Sequence, residues 1–470
     1  MSSISSTPTS SSDIDEVIED ETRAQIDRMA SQVIELMEQQ NLDDHSLDSE
    51  SDQPPPESAP VAESGTEKVL EVVTALSSFA AVGNSQLSFE EGDEIKIVQK
   101  TSEEWWWGEH DGRLGYVPVN HVASKSDVKS QRLRWQDDEY FESYAKLKIH
   151  REMLSDEART LAYKSAIEKN RSIFEDKVVL DVGCGTGILC MLAAKYGGAR
   201  KVYGIEASGV ASQAEKVIRH NGFEKVIEVI EGQIESIDLP EKVDIIISEW
   251  MGTLLLFELM IESVLYARDK FLHPDGLMLP STAKLFMVPC SAQQVLDERV
   301  NFWSDLYGFD FSPLKKTAFE ESFERPVFHH VVLKEECLGP AVVTVSLDMK
   351  GMAISNLEDI DEDLAFTVEK DGYFSGIASW FEVEFGGHPD ISEIVKLNTG
   401  PDHKLTHWKQ DLFVLDKRHE VAAGDRIEGR LRIMRHQQWR RHLRVILTYR
   451  IVNKDGESSE DFSKTFRLWR

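Results

Sequence analysis

The segment Val178-Val179-Leu180-Asp181-Val182-Gly183-Cys184-Gly185-Thr186-Gly187 constrains the fold more than any other stretch of the chain. Residues suited to a buried strand run directly into three glycines and then into the apolar, helix-suited run Ile188 to Tyr196. A strand, a tight turn and a helix in that order make the first unit of a parallel α/β sheet. The glycines let the backbone turn sharply and approach a ligand, and the helix start presents free N–H groups to it. Three further apolar runs, Val202 to Ile205, Val226 to Ile230 and Val243 to Ile247, alternate with amphipathic helices. Residues 135–280 are therefore expected to form a doubly wound, Rossmann-like domain.

The same loop restricts the ligand. Nineteen residues past Gly187 lies Glu206, at the end of the next predicted strand, where a carboxylate can accept both hydroxyls of a ribose. The glycines read G-x-G-x-G, not the G-x-G-x-x-G that cradles a pyrophosphate, so a nucleoside cofactor without phosphates, such as S-adenosylmethionine, is favoured over a dinucleotide. In the methyltransferases that this loop resembles, an acid at the position of Asp181 organises the glycine turn and one at that of Glu206 holds the ribose.

At 470 residues the chain is too long for one average domain. Residues 1–66 carry sixteen Asp and Glu against Arg23 and Arg28, with many serines and prolines, and are expected to be a disordered acidic tail. Within it, Ile26, Met29, Ala30, Val33 and Met37 recur at helical spacing, a transient or partner-induced amphipathic helix. Residues 69–125 change to short alternating runs broken by glycines, as a small all-β barrel requires. The runs Ala75 to Phe79, Leu87 to Asp93, Trp105 to Gly108 and Gly115 to Val122 resemble the successive signatures of an SH3 domain. In that resemblance Phe79, Trp105, Pro118 and His121 form the floor that takes a proline-rich ligand. Two tyrosines of the pattern are replaced, by Ser77 and His121. Beyond Pro280 period-two alternation prevails, as in Val343 to Leu347 and Leu443 to Tyr449, so residues 281–470 read as a second, β-rich domain.

The formal charge of −31 argues against direct binding to nucleic acid or an acidic membrane and favours a basic partner. No apolar run approaches bilayer-spanning length, and the first residues lack a secretory pattern, so a soluble protein of a reducing compartment is expected. Cys184, Cys190, Cys290 and Cys337 form no C-x-x-C pair and no cluster with histidine, which supports neither zinc nor a disulfide framework. No metal is expected.

The candidate chemistry lies after the fourth strand. Ser248-Glu249-Trp250-Met251-Gly252 is followed, nine residues beyond Glu249, by Glu258, at the start of the helix-suited stretch Leu259 to Lys270. Two acids flanking a short apolar excursion can close into a hairpin with facing carboxylates, which demands a cation between them. Guanidinium fits best, because its planar fork donates in parallel where Lys presents a point charge.

This hairpin resembles the double-glutamate loop of the protein arginine methyltransferases. Tyr140 to Tyr144 with Ile149 to Leu154 and Asp156 to Arg159 resembles that family's helix over the cofactor, and Thr406-His407-Trp408-Lys409-Gln410 its THW loop. The resemblance covers almost all of residues 139–470. It implies that His150, Arg159, Asp181, Gly183, Gly185, Gly187, Glu206, Glu235 and Glu249 hold S-adenosylmethionine, Arg159 at the carboxylate and Glu235 at the adenine. Glu249 and Glu258 would grip the substrate guanidinium, Tyr144 would position it, Met153 would line the site near the reacting methyl, and His407 with Asp156 would relay the proton. S-adenosylhomocysteine would be the other product. The resemblance further implies a β-barrel C-terminal domain, homodimerisation through an arm at about 300–320 with Trp303, Leu306, Tyr307 and Phe309, Arg/Gly-rich substrates, asymmetric dimethylarginine as product, and a location in nucleus and cytoplasm. Thr253 stands where relatives often carry Tyr. That departure sustains the rival reading of a weakly active scaffold that works through its SH3 domain in transcription complexes.

Overall fold

The computed structural model describes residues 69–468, apart from 82, 84, 103, 125–127 and 437–438. The acidic tail and its amphipathic stretch lie outside the described residues. The chain divides into two compact units between Val128 and Lys129.

In the first unit, β1 (Glu71–Ala75), β2 (Glu94–Lys100), β3 (Trp105–His110), β4 (Arg113–Pro118) and β5 (Val122–Ser124) form one antiparallel sheet in the order β4-β3-β2-β1-β5. Alternation places Val73, Ala75, Ile95, Ile97 and Val117 in its core. A short 3₁₀ turn, Val119–His121, leads into β5.

The second unit opens with helices α1 (Val128–Ala145), α2 (Leu147–Ser155), α3 (Glu157–Lys169) and α4 (Arg171–Phe174). Then follow β6 (Val178–Val182), α5 (Ile188–Leu192), β7 (Lys201–Glu206), α6 (Ala211–His220), β8 (Ile227–Glu231), β9 (Val243–Ile247), α7 (Ile261–Phe271) and β10 (Leu272–Leu279). Their strands lie parallel in the order β10-β9-β6-β7-β8. All five residues of β6 are buried, so the central strand reads as a continuous apolar run interrupted only by Asp181. Chain order reverses between β6 and β9, and ligands bind α/β sheets at such a switch, outside the carboxyl ends of the strands. The glycine loop follows β6 and the paired-glutamate loop follows β9, so the topology sets both candidate motifs on one crevice.

After a cis Leu279–Pro280 bond the chain becomes β-rich. It runs through β11 (Thr282–Cys290), α8 (Gln293–Arg299), α9 (Lys315–Phe323), β12 (Val327–His330), β13 (Val342–Asp348), β14 (Asp359–Thr367), β15 (Gly372–Phe385), β16 (Val395–Asn398), β17 (Gln410–Val421), β18 (Arg426–Arg435), β19 (Leu443–Val452) and β20 (Phe462–Leu468). One sheet runs β12-β17-β15-β11-β13, with β16 on β15, and the other β14-β18-β19-β20. These sheets share a continuous core with the parallel sheet; Tyr163 of α3, for example, meets the ring of Phe385 at 4.7 Å between centroids. Residues 129–468 thus pack as one body, which lets side chains from both halves reach one site.

Two local expectations are corrected. The helix read as Ile188 to Tyr196 stops at Leu192 and continues as a π turn over Ala193–Gly197, where the chain must bring Gly197 against Phe174. Glu258 does not begin a helix; α7 starts at Ile261, and Glu258 stands before it with φ of 75°.

Candidate active site

A cavity of about 720 Å³ opens at the switch point, lined by the glycine loop, α1 and α2, the Glu249–Glu258 loop and the His407 segment. Gly183, Gly185 and Gly187 all take left-handed φ, of 72°, 54° and 83°. A Cβ on Gly183 would sit 2.2 Å from Met260 Cε, so a larger residue there would meet the α7 side of the crevice. Glu206, at the end of β7, accepts from the Gly185 N–H at 2.7 Å and the Ser208 N–H at 2.8 Å. It thereby fastens the glycine turn to the next strand, and each carboxylate oxygen keeps a further lone pair for a ligand hydroxyl.

Asp181 behaves differently from the expectation that it organises the glycine turn. Fully buried, it accepts from Cys190 Sγ on α5 at 3.1 Å, and its Oδ1 has no partner among the described residues. Burial pushes this carboxyl up to about 7, with the Cys190 bond opposing. The residue that organises the turn is Glu206.

The Glu249–Glu258 loop is a tight apolar excursion. Gly252 N–H donates to Leu255 O at 3.0 Å and Phe257 N–H to Thr253 O at 3.0 Å. A Cβ on Gly252 would lie 2.1 Å from Phe257 O, so only glycine closes the loop. Leu254, Leu255, Glu258 and Leu259 have φ between 50° and 75°. Such backbone costs about 1 kcal/mol per non-glycine residue. Burial of Leu254, Leu255 and Leu256 outweighs it, at about 2 kcal/mol each. Neighbours hold the loop from outside: Trp408 Nε1 donates to Met251 O at 2.9 Å, Leu254 N–H donates to Asp411 Oδ2 at 2.8 Å, and Tyr163 Oη donates to Ser248 O at 2.9 Å.

Both carboxylates are engaged. Arg159 donates from Nε and Nη2 to Glu249 Oε2 at 2.9 and 2.8 Å, and Met251 N–H donates to Oε1 at 3.2 Å. Tyr144 Oη donates to Glu258 Oε2 at 2.8 Å. Burial first, and then the adjacent Glu258 charge, raise the Tyr144 phenol well above its ordinary range, so it remains a donor. Arg159, expected at a cofactor carboxylate, lines the cavity but spends its fork on Glu249.

His407 is tied to Asp156 twice, through Nδ1 at 2.7 Å and its own N–H at 2.9 Å. The other oxygen of Asp156 caps α3 at the Arg159 N–H, 2.9 Å away. Burial alone would raise the Asp156 carboxyl, but these bonds together hold it below the usual range. His150 packs over Gly185 and pairs its Nε2 with Tyr144 O at 2.8 Å. Met153 and Glu235 line the same cavity, Glu235 receiving Ser263 Oγ at 2.7 Å. Sequence reading missed Asp411 and Arg441. An acid inside the apolar run of β17 was a signal for the first; nothing in the sequence marked the second.

In the SH3-like unit, Phe79 meets Trp105 and His121 edge-on, at 6.0 and 5.2 Å. Trp105, Pro118 and His121 are buried and Phe79 is partly exposed. The two replaced tyrosine positions meet: Ser77 Oγ lies 2.8 Å from His121 Nδ1. The described cysteines are free, and the described residues contain no His/Cys/Asp/Glu cluster able to hold a metal. No helix among them is long and apolar enough to cross a membrane.

The glycine loop, the acid at the end of β7 and the carboxylate pair define a Rossmann-like methyltransferase built to receive a cation. Comparison with known proteins agrees. A methyltransferase domain matches residues 173–308, the arginine methyltransferase oligomerization subdomain residues 281–454, and a variant SH3 domain residues 72–124. The chain belongs to the protein arginine N-methyltransferase family. It is 42% identical to human protein arginine N-methyltransferase 2 over 85% of this chain and 93% of that one. It is 40% identical to protein arginine N-methyltransferase 1 of Schizosaccharomyces pombe over 69% of this chain and 94% of that one. Among solved structures it is similar to the Trypanosoma brucei PRMT1 enzyme–prozyme heterotetrameric complex with AdoHcy, at 36% identity and a TM-score of 0.63, covering 70% of this chain and 100% of that one. Arabidopsis thaliana protein arginine methyltransferase 10 matches at 33% identity and a TM-score of 0.62, covering 69% and 99%.

Proposed function

We infer that the chain transfers a methyl group from S-adenosylmethionine to guanidino nitrogens of protein arginines. The observation that carries this reading is the Glu249–Glu258 hairpin, whose two carboxylates line one cavity with the glycine loop. The loop fits the cofactor: its turn is fastened by a carboxylate with spare lone pairs, and from Gly183 to Gly187 it contains no Lys or Arg. Glu206, Glu235, His150 and the three glycines would hold it. When bound, S-adenosylmethionine supplies an electrophilic methyl on a sulfonium.

The chain's residues do the rest. An arginine keeps its proton at neutral pH, so its nitrogens are poor nucleophiles. Glu249 and Glu258 draw the positive charge toward their side of the guanidinium and leave the remaining nitrogen richer in lone-pair density. Arg159 formally offsets one of the two negative charges, so the pocket matches a single guanidinium. Tyr144 fixes Glu258, and the Asp156–His407 pair stands ready to take the proton that a methylated guanidinium sheds.

The product class follows the type I reading, with both methyls on one nitrogen. Arg/Gly-rich segments suit the acidic chain, and the SH3 unit recruits proline-rich partners. The arm at 300–320 serves a homodimer: Phe302, Tyr307 and Phe309 are exposed, Tyr307 at 97% on the tip of a two-residue turn. The protein works in nucleus and cytoplasm. The second reading, a weakly active transcriptional scaffold, is favoured by Thr253 at the cavity wall, where an aromatic side chain would narrow the guanidinium slot.

The test is transfer of labelled methyl to an Arg/Gly-rich protein by the native chain and by Glu249→Gln, with products resolved by mass spectrometry. Turnover should fall by about 10² or more in the variant, with asymmetric dimethylarginine as the native end point. A native chain that binds cofactor and transfers nothing supports the scaffold.

A further inference from the structure

We propose that Arg441 is a positioning residue for Glu258, and that one guanidinium both sets this glutamate and fastens α1 over the cavity. Arg441 lies in the connection between β18 and β19. Its Nη1 donates to the carbonyl oxygen of Glu258 at 2.7 Å. Its Nε and Nη2 donate to Asp137 Oδ1 on α1 at 3.0 and 2.6 Å. Its guanidinium also stacks 3.9 Å from the ring centroid of Tyr140, one helical turn further along α1. Tyr140 in turn packs 5.0 Å from Tyr144, whose hydroxyl donates to the Glu258 carboxylate.

Glu258 is thus held at both ends, its carbonyl by Arg441 and its carboxylate by Tyr144, and both holders depend on α1. The restraint matters because Glu258 has φ of 75°, in the left-handed region that a residue with a side chain leaves when nothing opposes it. Flanking Leu259 shares that conformation. The role suits arginine: its planar fork gives separate nitrogens to the carbonyl and the carboxylate while its face lies on the ring, whereas lysine offers a point charge on one nitrogen. Asp137 and Tyr140 orient the guanidinium, and the guanidinium orients Glu258. The position of α1 and the placement of Glu258 are therefore coupled through Arg441.

The inference rests on the reading of Glu258 as a carboxylate that grips the substrate guanidinium. Its test is a kinetic cycle on the full chain with Arg441→Lys, Glu258→Gln, the double variant and Asp137→Asn, using an Arg/Gly-rich peptide. Arg441→Lys should lower kcat by about tenfold, with Asp137→Asn in the same direction, since small misplacement of a reacting group is costly. In the double variant the losses should not multiply, Arg441→Lys adding less than about twofold to Glu258→Gln. A residue that only supports the fold would lower melting temperature and multiply with Glu258→Gln. Should Arg441→Lys not fold, Asp137→Asn, combined with Glu258→Gln, carries the cycle. Native kcat in the folded variants, or losses that multiply, overturns the inference alone; full turnover by Glu258→Gln overturns the underlying reading and this inference with it.

Discussion

Arg159 sets both its Nε and its Nη2 on one oxygen of Glu249, at 2.9 and 2.8 Å, in a pair whose side chains are only 6% and 9% exposed. The two residues are brought together by the fold: Arg159 sits in the first turn of α3, and Asp156, the cap of that turn, also holds His407. One helix start therefore links the Glu249 carboxylate to the Asp156–His407 pair. An arginine so placed positions Glu249 as much as it serves any ligand.

Removal of this guanidinium leaves a buried carboxylate uncompensated. Arg159→Ala is expected to lose about 3 kcal/mol of stability in urea unfolding. Arg159→Lys retains the charge but not the two-pronged grip; it should fold and lose turnover by at least about tenfold. Equal turnover in Arg159→Lys would show that Glu249 needs only a nearby charge.

Tyr144 contributes through one hydroxyl. Tyr144→Phe keeps the ring against Tyr140 and deletes only the bond to Glu258. Stability should change by about 1 kcal/mol, while kcat falls further than that bond's strength suggests, because the Glu258 carboxylate then loses the bond that places it. Urea titration and steady-state kinetics on the same preparations separate the two effects.

Much of this site is legible in the sequence because its signals are local. The β6 strand, its three glycines and the acid nineteen residues later are set by short-range spacing, as is the distance from Glu249 to Glu258. What the spacing does not carry is who holds whom. Arg159 finds Glu249 across 90 residues, Asp411 finds Leu254 across 157, and Arg441 finds Asp137 across 304. The last two pairs are decided when the β-rich half docks on the parallel sheet and the first when α3 packs at the end of β9, and composition gives no trace of either. Asp181 shows the same limit: its place at the end of a strand was plain, but its turn toward Cys190 depended on how α5 packs. The left-handed run around Leu254 was equally hidden, since leucines carry no local preference for it.

Asp156 gives a pH dependence. Its folded carboxyl titrates below its ordinary 3.8, so its contribution is fully present above that value and is lost as pH falls through the folded pKa. Asp156→Asn keeps an oxygen for the α3 cap and loses the charge opposite His407. At pH 7 the variant should unfold at lower urea than the native chain, and the gap should close in strong acid. A gap that persists unchanged below pH 3 would mean that the carboxylate charge contributes nothing.

Asp411 has the opposite sign. It is buried in β17 with the Leu254 N–H as its bond, and burial pushes its carboxyl up to about 7 from an ordinary 3.8. Between those values the folded chain holds a proton that the unfolded chain has released, so stability is highest below the lower value and declines as pH rises toward the upper one. Asparagine is neutral throughout and keeps an oxygen for the Leu254 N–H. Asp411→Asn should therefore match the native chain near pH 4 and exceed it at pH 8, by on the order of 2 kcal/mol. Asp181, also raised to about 7, gives the native chain a parallel decline, which cancels in the difference between native and variant. Urea unfolding at both pH values reads that difference directly. A difference that stays flat from pH 4 to 8 would mean that Asp411 ionises in the folded chain without penalty, and the apolar packing around the Glu249–Glu258 loop would then have to admit water or a cation at its base.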